Sequence, residues 1–259
     1  MNLKKRLKLF FLNKYYPRPT REDLLTLISQ LQPVETDKEL IRVGGESDGG
    51  YLVPNDLKGI EACFSPGVGG KSRFELECAD LGMKIFMADA SVDGPAYEDK
   101  RFNFQKKYIG GRKRKNFISL TDWINSTEAG DKAELLLQMD IEGFEYEVLN
   151  ATFVQILERF RIIIIEFHLL DNLGMPWYYH RSKKAFEKLL VNHTCVHIHP
   201  NNSCGISQIH GVEVPGIAEF TFLRNDRIME KRKVKSFPHP LDNDSVNAES
   251  VNLPEIWYV

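Results

Sequence analysis

Leu135-Leu136-Leu137-Gln138-Met139-Asp140-Ile141-Glu142-Gly143-Phe144-Glu145-Tyr146-Glu147-Val148-Leu149 is the stretch whose reading decides the fold. An apolar run ends on an acid, a glycine turn follows, and apolar residues then recur at helical spacing as far as residue 160. Residues 134–139 therefore read as a buried strand feeding a helix over 144–160. The same unit recurs on both sides. Upstream, residues 60–65 and 84–88 are strands around a glycine turn at 67–70 and a helix over 72–81, and 102–109 is a third strand. A further helix starts at residues 120–124 behind Ser119. Downstream, Ile162-Ile163-Ile164-Ile165 is the most apolar strand, ending at Glu166-Phe167-His168; a helix over 181–191 and strands over 194–198 and 218–223 follow. Strands alternating with helices imply parallel pairing through right-handed crossovers. The isoleucine run suits a strand covered on both faces. The last two strands lack a helix between them and should pair antiparallel.

Before this core, Thr20 starts a helix that carries Leu24, Leu27, Ile28 and Leu31 on one face. Two extended runs around Ser47-Asp48-Gly49-Gly50 then suggest a hairpin. The tail is read as an extended excursion with a solvated charge run at Lys231-Arg232-Lys233-Val234-Lys235. Residues 1–259 thus read as one domain, with helices and hairpin at 1–59, an α/β core at 60–225 and an extension at 226–259.

Composition narrows the function. The 34 Lys+Arg against 36 Asp+Glu give a net charge of -2, which argues against a nucleic-acid partner. The basic runs at Arg112–Lys115 and Lys231–Lys235 read as solvated faces. Cys63, Cys78, Cys195 and Cys204 form no C-x-x-C pair and read as reduced thiols, which points to the cytoplasm. No stretch is apolar enough for a transmembrane segment or a signal-peptide core. The basic start, with Leu3, Leu7, Phe10 and Phe11 on one helical face, reads as a cap helix docked on the domain; peripheral contact with a membrane is the weaker alternative.

Three features carry chemistry. Ser65-Pro66-Gly67-Val68-Gly69-Gly70 lies between a strand and a helix, where glycines let the backbone approach a ligand at the positive end of the helix. Asp89 follows at the end of the next strand, before Ala90, placed to accept hydrogen bonds from both hydroxyls of a ribose. Its bland alternative is a helix cap before Ser91. Together they favour a nucleoside cofactor without choosing between NAD and S-adenosylmethionine. Finally, Asp140, Glu142, Glu166, His168 and His199 project from the carboxyl edge of the sheet, where cofactor and acceptor meet. Asp140 and Glu142 could instead cap the following helix, and Glu145 reads as structural. Only one of His197 and His199 is expected to face the cleft. The adjacent Asn201 and Asn202, with donors and acceptors suited to a polar acceptor, favour His199.

The segment Asp140-Ile141-Glu142-Gly143-Phe144-Glu145 resembles the "D-x-E-G-x-E" hallmark of the FkbM-type methyltransferases. Asp48-Gly49-Gly50-Tyr51 resembles their upstream turn and residues 65–70 their cofactor loop. Lys107-Tyr108-Ile109-Gly110, Leu120-Thr121-Asp122-Trp123, His199-Pro200-Asn201-Asn202 and Glu219-Phe220-Thr221-Phe222 extend the likeness over roughly residues 40–225. It implies a class I, Rossmann-like fold: a doubly wound, mostly parallel, seven-stranded sheet with a terminal antiparallel strand. It also implies S-adenosylmethionine as cofactor and a hydroxyl of a sugar, glycan or glycosylated small molecule as acceptor. The expected cofactor residues are Ser65, Gly67, Gly69, Asp89, Ala90 and Asp140. Those toward the acceptor are Asp48, Tyr51, Glu142, Asn201 and Asn202, with His168, Glu166 or His199 in catalysis. Asp140, Glu166 and His168 also make a divalent-metal set, which is not the favoured reading. The rivals are an NAD-dependent sugar oxidoreductase and a non-catalytic nucleotide- or glycan-binding module. One departure stands out: Ser65-Pro66 replaces the acid that many methyltransferases carry before the glycine loop, which leaves open how the methionyl amino group is held.

Overall fold

A computed structural model describes residues 14–46 and 48–259. The amphipathic reading of the first residues, and Ser47 of the hairpin turn, lie outside them. Helix α1 (Arg21–Leu31) is closed at its start by a capping box in which Thr20 and Asp23 bond each other's backbone N–H. Strands β1 (Val34–Thr36), β2 (Leu40–Val43) and β3 (Tyr51–Pro54) follow, the last two forming the expected antiparallel hairpin. The core comprises β4 (Ala62–Pro66), α2 (Arg73–Asp80), β5 (Lys84–Ala88), β6 (Phe102–Gln105), β7 (Tyr108–Gly110), β8 (Phe117–Ser119), α3 (Leu120–Asn125), β9 (Leu135–Met139), α4 (Glu145–Ala151), α5 (Val154–Leu157) and β10 (Phe160–Phe167). It closes with α6 (Pro176–Leu190), β11 (His193–Pro200), a hairpin of β12 (Ile206–Ile209) and β13 (Val212–Pro215), then β14 (Ala218–Arg224). Strand β15 (Lys231–Lys233) lies in the tail.

Seven strands form the main sheet in the order β11-β14-β10-β9-β4-β5-β6. Only β14 runs against its neighbours, pairing antiparallel with β10 and β11; the other pairs are parallel. This is the class I methyltransferase sheet. The winding reverses between β4 and β9, so their carboxyl ends flank the switch point where such sheets bind ligands.

Strand alternation sorts the side chains between two cores. Phe64, Leu137, Ile163, Ile165 and Phe220 face one, built with α1, α3, α4 and α6. Cys63, Leu136, Ile162 and Ile164 face the other, built with α2 and the hairpin. At its amino edge the sheet is tied by charge, with Arg161 and Arg224 both bonded to Glu134 and Arg227 to Asp56.

Several boundaries differ from the sequence reading. Residues 102–109 are not one strand: β6 joins the sheet, whereas β7 leaves it to pair with β8. The helix expected over 144–160 breaks at Thr152, whose backbone is extended and whose hydroxyl donates to Val148 O. Helix α6 starts earlier than expected, because Pro176 opens its first turn. No helix follows Asp89, and the glycine-rich connection before β14 holds the β12–β13 hairpin. The basic run of the tail is exposed, as expected, yet β15 pairs with β1. Beyond it Trp257 is fully buried and its indole N–H donates to Glu213 O. Among the described residues no helix is long and apolar enough to cross a membrane. If the tail belongs to the core, Trp257→Ala should cost about 3–5 kcal/mol in urea unfolding. An unchanged midpoint would mean the tail is dispensable.

Candidate active site

Gly67 fixes the geometry of the switch point. Its φ is +92°, and a Cβ there would come within 1.5 Å of Asp140 O. Only glycine lets these two strand ends meet. Asp140 N donates to Pro66 O, and Gly67 N to Ala88 O, so three strand ends are bonded into one floor.

A cleft of about 470 Å³ opens on this floor, lined by Gly67, Asp89, Ser91, Tyr108, Ile109, Phe117, Asp140, Glu142 and Phe144 among others. One wall is polar. Asp89 accepts from Val68 N at 3.0 Å through one oxygen and from Ser91 N and Oγ at 2.6 Å through the other. The other wall is aromatic: Phe117 lies 5.2 Å from Tyr108 and 5.9 Å from Phe144, ring centre to ring centre. An acid beside a flat apolar slot suits a nucleoside, with the sugar on the acid and the base against the rings. Sequence reasoning missed this wall, since Tyr108 and Phe117 meet only through the unforeseen β7–β8 pair. A second, smaller cavity of about 50 Å³ lies on the other side of Gly67 and Asp140, where Asp48, Tyr51, Gly69, Lys71, Glu75 and Gln138 line it. The cleft along α6 holding Tyr16, His180 and Lys183 is as large, about 490 Å³, but no strand-end acid reaches it.

Glu145 organises the loop after β9. It is fully buried, and its Oε1 accepts from Ile141 N at 3.3 Å and Gly143 N at 3.0 Å. The same oxygen lies 3.1 Å from His168 Nδ1, so this nitrogen is the donor and Nε2 faces the site. Glu145 thus does more than brace the helix: it turns the imidazole toward Asp140 and Glu142. Glu142 sits in the left-handed region at φ 56°, a strained position for a side-chain residue, and swings its carboxylate into solvent. His168 Nε2 lies 3.7 Å from Asp140 Oδ1 and 3.5 Å from Glu142 Oε2, beyond hydrogen-bond reach of both. Asp140 Oδ1 is buried without a hydrogen-bond partner. Burial, and next the charge of Glu166, push the Asp140 carboxyl well above the usual carboxylate range. Burial alone would lower His168, but the hydrogen bond and charge of Glu145 outweigh it and hold the imidazole protonated. The ligand atoms of Asp140, Glu142 and His168 lie within 4.8 Å of one another and could hold a divalent cation; Glu142 takes the place that the sequence reading gave to Glu166.

Glu166, Glu219 and His199 form a buried row behind this point, since Glu219 pairs in register with both of the others. Like charges directly opposed destabilise a sheet; burial first, then the charge of Glu166, push Glu219 far above its ordinary range. Asn201, expected toward the acceptor, spends its Nδ2 within the protein, donating to Glu166. The tail takes up the rest. His197 Nε2 lies 2.8 Å from Asp242 Oδ1, His199 Nε2 lies 3.0 Å from Asn243 O, and Asn202 Nδ2 donates to Val246 O and Ala248 O. The expectation that only one of the two histidines faces the cleft needs correction: residues two apart share a strand face, and both approach Asp242. Ser65 is fully buried and bonded within the protein, and Ala90 is half-buried beside Asp89.

The fold is that of the class I methyltransferases, which use S-adenosylmethionine. Residues 100–208 match the family model described as the methyltransferase FkbM domain, which bears out the resemblance read from Asp140–Glu145. The glycine loop and Asp89 precede the matched segment. The search of curated proteins found no match. Among solved structures the chain is similar to a fibrillarin/Nop5p complex, at 12% identity over 74% of this chain and 98% of that one, with a TM-score of 0.41. It is also similar to 1,6-didemethyltoxoflavin-N1-methyltransferase of Burkholderia thailandensis, solved with 1,6-didemethyltoxoflavin and S-adenosylhomocysteine. That likeness has 12% identity over 64% and 72% of the two chains and a TM-score of 0.30. At such distance neither bears on the acceptor.

The two loop glycines should separate by stability. Gly67→Ala should cost about 2–4 kcal/mol in chemical denaturation, through overpacking and a strained φ. Gly69→Ala, where a Cβ meets nothing within 4 Å, should stay within about 0.5 kcal/mol of wild type. Equal costs would contradict the contact between Gly67 and Asp140.

Proposed function

We propose that the protein transfers the methyl group of S-adenosylmethionine to a hydroxyl of a sugar, glycan or glycosylated small molecule. The observation that carries this reading is Asp140, whose buried Oδ1 has no hydrogen-bond partner and which lines both cavities. Methyl transfer from a sulfonium is an in-line displacement, and much of its rate comes from positioning. A hydroxyl is a weak nucleophile, so a base must take its proton as the C–O bond forms. A protonated imidazole cannot do so. His168 therefore acts through its charge, and Asp140 accepts the proton. A bound sulfonium adds a positive charge nearby and drives Asp140 toward its ionised form. Glu166, held by Asn201, stands behind Asp140 as the next acceptor. Asp48 and the exposed Glu142 offer hydrogen-bond acceptors at the rim, which supports a polyol acceptor.

S-adenosylhomocysteine at a hundredfold excess over its Kd should stabilise the protein by about 2.7 kcal/mol, while NAD should leave its melting temperature unchanged. Stabilisation by NAD alone would contradict the cofactor reading. With labelled S-adenosylmethionine and glycan acceptors, the product label should survive mild alkali, as methyl ethers do. Release as methanol would point to carboxyl methylation instead.

The proton acceptor shows in the pH profile. Asp140 must be ionised to act, so kcat/KM should rise with pH through a limb well above about 4, the usual carboxylate value. Asp140→Asn should remove the limb and lower kcat by about 10²–10⁴-fold. His168→Gln should move the limb to higher pH, because the imidazolium favours ionised Asp140. A wild-type limb near the usual value would exclude Asp140. Turnover should also survive EDTA; loss restored by Mg²⁺ would give Asp140, Glu142 and His168 to a cation.

A further inference from the structure

The smaller cavity has its own chemistry. Ser65 on β4 and Gln138 on β9 occupy the alternate positions that turn away from the core of α1 and α6 and toward α2 and the hairpin. There Ser65 Oγ donates to Glu75 Oε1 at 2.5 Å and lies 2.7 Å from Gln138 Oε1. Gln138 Nε2 in turn bonds Tyr51 Oη at 2.9 Å. A polar chain therefore runs from the hairpin through two strands to helix α2, where it ends on a carboxylate.

That carboxylate is only 6% exposed. Its partner from another side chain, among the described residues, is the single hydroxyl proton of Ser65. A carboxylate has about four acceptor sites, and burying a charge without a counter-charge is costly. Burial accordingly raises Glu75 above its ordinary range, against the Ser65 hydrogen bond. The cavity it lines shares Gly67 and Asp140 with the nucleoside cleft on the other side of them.

We infer that Glu75 receives the α-ammonium group of the methionyl end of S-adenosylmethionine, with Ser65 as the residue that positions it. This deepens, and rests on, the cofactor reading above. It also accounts for the departure at Ser65-Pro66. The acid missing from the strand end is supplied by the first turn of α2 and reaches the same place through the serine hydroxyl. An ammonium group completes the chain because it brings donors and positive charge to a carboxylate that has too little of either.

The test is a binding cycle by calorimetry on the full chain. The ligands are S-adenosylhomocysteine and its analogue lacking only the α-amino group. Wild type should bind S-adenosylhomocysteine at least tenfold more tightly than the analogue. Glu75→Gln should lose at least tenfold toward S-adenosylhomocysteine, keep its affinity for the analogue within about twofold, and so bind the two alike. Ser65→Ala, which keeps the carboxylate, should lose less and retain part of the discrimination. Equal binding of both ligands by wild type overturns the assignment and needs no variant to fold. So does a Glu75→Gln protein that folds and still discriminates as wild type does. Failure of the cofactor reading looks different, since wild type would then bind neither ligand.

Discussion

Backbone contact between Gly67 and the Asp140 carbonyl is the constraint on which the rest of the site depends. It joins the carboxyl ends of the two strands at which the sheet changes direction, and no side chain fits between them. Because the strand ends touch, the space above them divides in two. A nucleoside-sized cleft lies on the β5 side, and a small polar cavity lies on the side of α2 and the hairpin. Both are lined by Asp140. A ligand spanning the floor would pass its centre over that carboxylate, which is where the sulfonium of an extended cofactor would lie.

The second organising feature is the period of the strand. On β4, β9, β10 and β14, the residues facing α1, α4 and α6 are apolar up to Arg224 at the end of β14. On the opposite face the apolar pattern yields near the carboxyl edge, to Ser65, Gln138, Glu166, and Glu219 with Thr221. Thr221 Oγ1 donates to Leu52 O, so the hairpin closes over this polar strip. Buried acids are costly unless hydrogen-bonded or protonated. Here Asn201, Ser65 and raised proton affinity share that burden. One face of each strand thus stabilises the fold while the other carries chemistry.

Much of this was legible in the sequence. The alternation of strands and helices, the glycine turn, Asp89 and the acid after the leucine run predict the sheet and the floor of the site, because each is a local pattern. What failed was non-local. Phe102–Ile109 looks like one strand, and nothing nearby in sequence says that Tyr108 leaves the sheet to meet Phe117. Glu75 looks like an ordinary helix carboxylate until α2 is laid against Ser65 and Gln138. Glu145 looks like a first-turn acid until β10 brings His168 to it. The tail, polar and rich in proline and asparagine, hides Trp257 and the loop that engages His197, His199 and Asn202.

The most direct test of the account is a crystal structure with S-adenosylhomocysteine bound. The ribose hydroxyls should hydrogen-bond Asp89, the adenine should lie between Ile109, Phe117 and Phe144, and the sulfur should sit over the junction of Gly67 and Asp140. A nucleoside seated elsewhere, for example in the cleft along α6, or a ribose turned away from Asp89, would contradict it.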